Sequence, residues 1–212
     1  MPQALNHNDV IMMIRRAVDI IKDNHEMLSK LDSATGDGDH GTTMLRTMQA
    51  VENRLNGNPD EALKEQLYKI GWAIMSADGG STGPLLGSFF MGLSEGLAET
   101  PDLNASALTD MISAGIDKMH KQSRAQIGDK TMMDALLPAQ AALKAAGPDV
   151  DIADLLSQAA QAAEDGAKAT ENMKAKFGRA RNLGDRVLGH RDPGSVSISL
   201  IFRGFHKSLE QN

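Results

Sequence analysis

Leu31-Asp32-Ser33-Ala34-Thr35-Gly36-Asp37-Gly38-Asp39-His40-Gly41 sets three carboxylates and three glycines between two stretches of helical periodicity. Only Gly38 separates Asp37 from Asp39, and Asp32 leaves the preceding helix five residues before Asp37, so one tight loop can converge all three. Without a cation that convergence is repulsive. Three anionic oxygen ligands with room left for water and phosphate suit Mg²⁺, which takes a few carboxylates plus substrate oxygens rather than an all-protein cage. Any one of these aspartates alone reads as a helix cap or a solvated loop residue. All three together, with His40 and Gly41 opening a helix, read as a Mg²⁺-nucleotide site.

Two other readings of the stretch fail. Gly36 to Gly41 spells G-x-G-x-x-G, but helix precedes it where a dinucleotide fold needs a strand. A calcium loop starting at Asp37 needs glycine at its sixth position and an acid at its twelfth, where Thr42 and Met48 stand.

Helices extend outward on both sides. Upstream, Val10, Ile14, Ala17, Val18, Ile21 and Leu28 repeat at three and four residues from about residue 7. Downstream, Met44, Met48, Val51 and Leu55 do the same until Asn56-Gly57-Asn58-Pro59 stops the helix. Leu63 to Ile74 predicts a third helix, and Leu85 to Leu97 a fourth after Asp78-Gly79-Gly80-Ser81-Thr82-Gly83-Pro84. Leu108 to Met119 gives a fifth, ending before Ser123. Met132 to Leu143 gives a sixth, which Pro138 should kink or shift. The seventh runs roughly from 151 to 175, and a Gly/Arg/Asp-rich link covers 178 to 194. Val196 to Phe202 alternates like a strand, but a lone strand has no partner here, so it predicts an eighth helix. The fold class expected is all-α, an eight-helix antiparallel up-and-down barrel or bundle, as a single domain over 1–212.

Composition agrees: aromatics are 3% of the 212 residues, helix formers are plentiful, and there is no cysteine to make a disulfide or thiolate site. A net charge of −6 without a basic stripe argues against nucleic acid. No leader and no long apolar run is evident, so no membrane partner is expected and the compartment read from sequence is the cytoplasm.

The four unusual loops follow helices one, three, five and seven, so up-and-down packing gathers them at one end. The amino termini of helices two, four, six and eight then point at that end with unpaired N–H groups and partial positive charge. Such an end attracts phosphate, and the aspartates attract metal. Gly79 to Pro84 lacks the lysine of a P-loop but offers small residues and two hydroxyls to a phosphate. Gly128-Asp129-Lys130-Thr131 adds a cation and a hydroxyl, and the last link brings Arg179, Arg181, His190 and Arg191. Arginine matches phosphate oxygens. Met132 opens a helix beside the proposed site and can contact a base. His40 and His190 lack a nucleophile partner, so structural hydrogen bonding fits both better than general-base chemistry.

Taken together, Gly36-Asp37-Gly38-Asp39-His40-Gly41, Gly79 to Pro84, Gly128-Asp129-Lys130-Thr131-Met132 and Gly184 through Gly194 resemble the nucleotide-binding L subunit of dihydroxyacetone kinase, over essentially the whole chain. The resemblance implies an eight-helix barrel holding ADP or ATP at one end through two Mg²⁺ ions. By it, Asp32, Asp37 and Asp39 are the metal ligands and, with Arg179, the catalytic set; His40, Gly41, Thr42 and Thr43 lie beside the nucleotide. Ser81 and Thr82 then contact phosphate or ribose, Ser123 gives a further backbone contact, Met132 meets the base, and Arg179, Asp192, Pro193 and Gly194 close the pocket. Asn182 stands where the family has an aromatic and Asp185 where it has a glutamate, differences that bear on pocket packing.

The family also implies partners: a K subunit that binds dihydroxyacetone covalently, and in the phosphotransferase-system version a phosphohistidine M subunit that recharges retained ADP. A free-standing chain of this length favours that version over the ATP-exchanging one. An ATP-linked kinase for dihydroxyacetone or a tetrulose, a homodimer, and a non-catalytic helical adaptor indifferent to Mg²⁺ stay open.

Overall fold

The apolar periodicities fold as eight α-helices in the computed structural model, which describes residues 3–58, 60–77, 80–98, 102–147 and 149–210. They are α1 (His7–Thr35), α2 (His40–Leu55), α3 (Leu63–Ser76), α4 (Thr82–Gly96), α5 (Ala105–Ser123), α6 (Met133–Ala145), α7 (Ile152–Ala169) and α8 (Pro193–Lys207). Each packs on its sequence neighbours, and α8 returns to α1, so the contacts form a closed ring. No strand forms among the described residues; one isolated bridge pairs Leu5 with Leu103.

Local chemistry sets the ends. Asn6 and Asp9 make a reciprocal capping box before α1, Asn104 caps α5 by accepting from Ala107 N–H, and Asp151 caps α7 by accepting from Ala153 N–H. Glycine permits the closest approaches. A β-carbon at Gly41 would run into the His25 carbonyl of α1, so α2 begins in direct backbone contact with α1. At Gly166, α7 lies against the Asp134 carbonyl of α6. That carbonyl is the one Pro138, having no N–H, cannot bond.

Pro138 lies inside α6, with Gly166 packed where the hydrogen bond is missing. Two sequence expectations change. The seventh helix stops at Ala169 rather than near 175, because the buried Thr170 hydroxyl bonds back to the Ala167 carbonyl at 2.6 Å and the chain tightens into a 3₁₀ turn, Thr170–Asn172. The link after it is not featureless: Arg179–Val187 forms 3₁₀ turns broken at Gly184, whose φ is 58°. The Val196–Phe202 alternation is helix, as expected. It alternates because α8 is buried nearly all round, and Ser197 and Ser199 satisfy their hydroxyls on the Pro193 and Val196 carbonyls. Pro59, Asp78 and Gly79, part of two loops read from sequence, lie outside the described residues.

Candidate nucleotide and metal site

Asp32 sits in the last turn of α1, where its carbonyl accepts the Gly36 N–H at 2.5 Å as the helix ends. Gly38, at φ 80°, turns the chain back so that Asp39 directly precedes α2. Asp32, Asp37 and Asp39 then each offer a carboxylate oxygen, and the three oxygens lie within 4.8 Å of one another. At about 4 Å two such charges repel by ~1 kcal/mol in water and ~4 kcal/mol at an effective dielectric of 20. Two groups relieve this: the His40 N–H donates to Asp32 Oδ2 at 3.2 Å, and the Arg179 guanidinium pairs with Asp37 and lies 3.9 Å from Asp39. Three hard oxygen donors, open on the cavity side, fit Mg²⁺.

The cluster forms part of the wall of a cavity of about 620 Å³, within the usual size of a small-molecule site. Residues from all four expected junctions line it: Gly36 and Asp37; Gly80 and Ser81; Ser123 and Lys130; Gly178 and Arg179. So do the starts of α2, α4 and α8, through His40, Thr43, Thr82, Pro193 and Gly194, and Met132 just ahead of α6. The convergence inferred from chain order is present. Asp32, Asp37, Asp39, His40, Thr43, Ser81, Thr82, Ser123, Met132, Arg179, Asp192, Pro193 and Gly194 are all brought together. Gly41 and Thr42 do not line the cavity: Gly41 is spent on the contact with α1, and Thr42 points to solvent.

Arg181, His190 and Arg191 also stay outside, Arg191 being drawn to Glu164 at 3.4 Å and Glu171 at 3.8 Å. Asn182 and Asp185 are exposed and away from the wall, Asp185 pairing with Lys174 at 2.6 Å, so the two family differences do not touch pocket packing.

Four lining residues escaped the sequence reading: Thr35, Leu85, Gln122 and Phe177. Leu85 follows the α4 apolar stripe and looked like core. Phe177 carried a signal, being an aromatic just before Gly178-Arg179 in a chain with few aromatics.

Burial sets the protonation states. His40 is held below the ordinary histidine range by desolvation, against the opposing pull of Asp32 and of a hydrogen bond to the Pro193 backbone. Its Nε2 lies 2.7 Å from Ser197 Oγ, which ties the start of α2 to α8. Burial pushes Asp192 up to about 7 while its bond from Ser195 N–H, at 2.6 Å, pulls the other way. Lys130 is lowered by burial, opposed by Asp192. The 128–134 turn is shaped by Asp134, whose carboxylate accepts the Gly128 and Thr131 N–H groups at 2.6 and 2.8 Å. No helix among the described residues is long and apolar enough to cross a membrane.

Comparison with known proteins finds relatives over nearly the whole chain. A DAK2 domain matches residues 34–207. The chain is 31% identical over 201 residues to an Escherichia coli protein named PEP-dependent dihydroxyacetone kinase, ADP-binding subunit DhaL, covering 94% of this chain and 96% of that one. A Listeria innocua protein, PEP-dependent dihydroxyacetone kinase 2, ADP-binding subunit DhaL, is 35% identical, covering 91% and 90%. Among solved structures, the dihydroxyacetone kinase from C. freundii in complex with AMP-PNP and Mg²⁺ superposes with a TM-score of 0.74 at 26% identity. The match covers 98% of this chain and 35% of that chain, so this chain spans about a third of that kinase. From the domain match, the identities and the shared helical architecture, the chain belongs to the DAK2-domain family, as a relative of the L subunits of dihydroxyacetone kinase.

Proposed function

We propose that this chain holds ADP or ATP with Mg²⁺ in the cavity and transfers a phosphoryl group to dihydroxyacetone carried by a separate K subunit. The observation that carries this reading is the meeting of three carboxylates and four junctions at one cavity. Asp32, Asp37 and Asp39 would hold the metal, two ions by the family resemblance. When bound, it supplies positive charge that neutralises phosphate oxygens.

The chain's own residues do the rest. The amino ends of α2 and α4 stand on the cavity wall through His40, Thr43 and Thr82, and their partial positive charge suits phosphate. Arg179, released from Asp37 when a cation takes its place, adds delocalised positive charge where the transferred group moves. Met132, Leu85 and Phe177 give an apolar wall for a base and exclude water. His40, kept neutral and tied to Ser197, orients α2 rather than moving a proton. Phosphoryl transfer asks mainly for alignment and electrostatics, which these groups offer.

The names of the relatives matched over nearly their whole length support the bound-cofactor branch, in which ADP stays in place and a phosphohistidine M subunit recharges it from phosphoenolpyruvate. Native mass spectrometry of the purified chain tests this: retained ADP, lost on chelation of Mg²⁺, is expected. An empty site that turns over free ATP with a K subunit would move the chain to the ATP-exchanging branch. Protein-partner binding indifferent to Mg²⁺ and nucleotide, with no nucleotide bound, would overturn the reading.

A further inference from the structure

Between α7 and α8 the chain leaves the ring at Glu171 and returns at His190, and this excursion carries Phe177 and Arg179 to the cavity. Its body has little to hold it. Of Arg179–Val187 only Val187 is buried, and the outer ties are few: Lys176 holds Asp129 through its ammonium at 2.6 Å and through its N–H to the Asp129 carbonyl at 3.1 Å, and Arg179 pairs with Asp37. Its two feet stand together, because Gly189 N–H donates to the Glu171 carbonyl and Asp192 N–H to Thr170 Oγ1, both at 2.9 Å.

Lys130 reaches these feet from a different element, the turn before α6. It is 3% exposed, and its ammonium donates to the Thr170 carbonyl at one foot and, at 2.5 Å, to the His190 carbonyl at the other. Asp192, Asp134 and Glu171 are the charged groups around it. Its backbone has φ 58°, a conformation uncommon for a residue with a side chain. A buried ammonium needs partners, and the partners here are two backbone carbonyls 20 residues apart in sequence. The sequence offered this lysine as a phosphate cation, whereas these two donations commit it to the backbone.

We propose that Lys130 is a positioning residue that clamps both feet of the 171–190 excursion and so fixes where Arg179 meets the carboxylate rim. Its catalytic consequence rests on the phosphoryl-transfer reading above; its mechanical consequence does not.

Lys130→Met keeps the aliphatic stem and removes the donors. Hydrogen exchange on the ligand-free chain is expected to show peptides within 173–189 exchanging at least about tenfold faster, with α1 to α6 unchanged within about twofold. Lys130→Arg, which keeps charge and donors, should retain that protection. If methionine prevents folding, Lys130→Gln replaces it with the same expectation, since its amide is too short to span both carbonyls. Unchanged exchange at 173–189, or equal loss across all helices in every variant, would overturn the clamp.

In the reconstituted reaction, Lys130→Met should lower kcat about tenfold with Mg-ADP affinity within about threefold, and should add less than about twofold in an Arg179→Ala background. Losses that multiply in full would overturn the link to Arg179. Should the exchange result hold while the wild-type chain transfers no phosphoryl group, the functional reading fails and the clamp stands.

Discussion

The two rims of the helix ring solve opposite problems. At the far rim α1, α5 and α7 start with side-chain caps from Asn6, Asn104 and Asp151, and α3 alone of the odd-numbered helices starts without one. Leu5 and Leu103, both buried, close the interior there with two backbone hydrogen bonds of 2.8 Å, and Glu61 is neutralised by Arg54 and Lys69, each at 2.5 Å. At the near rim Asp192 caps α8 and Asp32 takes the first N–H of α2, yet three carboxylates crowd together with one arginine beside them. The far rim neutralises its buried charge within the chain; the near rim gathers like charge that only something arriving from outside can balance in full.

This contrast can be broken at either rim, and the largest change is expected at the open one. Asp37→Asn should weaken Mg²⁺-dependent ADP binding by about a thousandfold, or ~4 kcal/mol, in calorimetry. Folding stability should hold or rise by up to ~1 kcal/mol, because a repulsion is removed. Equal losses of binding and stability would erase the distinction between rims. Leu103→Ala at the closed rim should show the reverse: about 2–5 kcal/mol of stability lost in urea titration, with ADP affinity within about threefold.

Asp192 gives a finer test through pH. Its carboxyl is held near 7 in the fold, above the ordinary 3.8, so between about pH 4 and 7 the folded chain keeps a proton that the unfolded chain releases. Its contribution to stability therefore falls as pH rises through that window, at up to about 1.4 kcal/mol per unit. His40 works in the other direction, since a ring held below its ordinary 6.5 resists protonation and costs stability as pH falls below that value. The difference between wild type and Asp192→Asn isolates the aspartate, and parallel stability curves would refute its elevated pKa. Smallest of all, Arg179→Ala should change folding stability by no more than about 0.5 kcal/mol, its ion pairs being exposed. It should tighten the binding of Mg²⁺ alone a few-fold, read by metal titration, because the guanidinium no longer competes.

The ring and its crowded rim were legible because each depends on short-range signals: apolar spacing, glycine-bearing loops and the placing of those loops after every second helix. Thirteen proposed site residues line the cavity for that reason. What escaped depends on distant partners. Gly41 looked like part of a phosphate loop, yet its lack of a side chain is used by the His25 carbonyl. Lys130 looked like a free cation, but its destination is set by residues 40 and 60 positions further on. Asp134 reads as an ordinary acidic residue in a first helical turn, and its two N–H partners appear only once the 128–134 turn is formed. No local pattern announces such long-range pairings.

The bond between His40 and Ser197 spans 157 residues and belongs to the contact that closes α8 onto α1 and α2. A growing polypeptide therefore exposes its bare aspartate cluster long before the segment that completes the pocket has left the ribosome. Under the proposed function, nucleotide capture has to wait for the final helix, and a product truncated before α8 should be a poor sponge for cellular ADP.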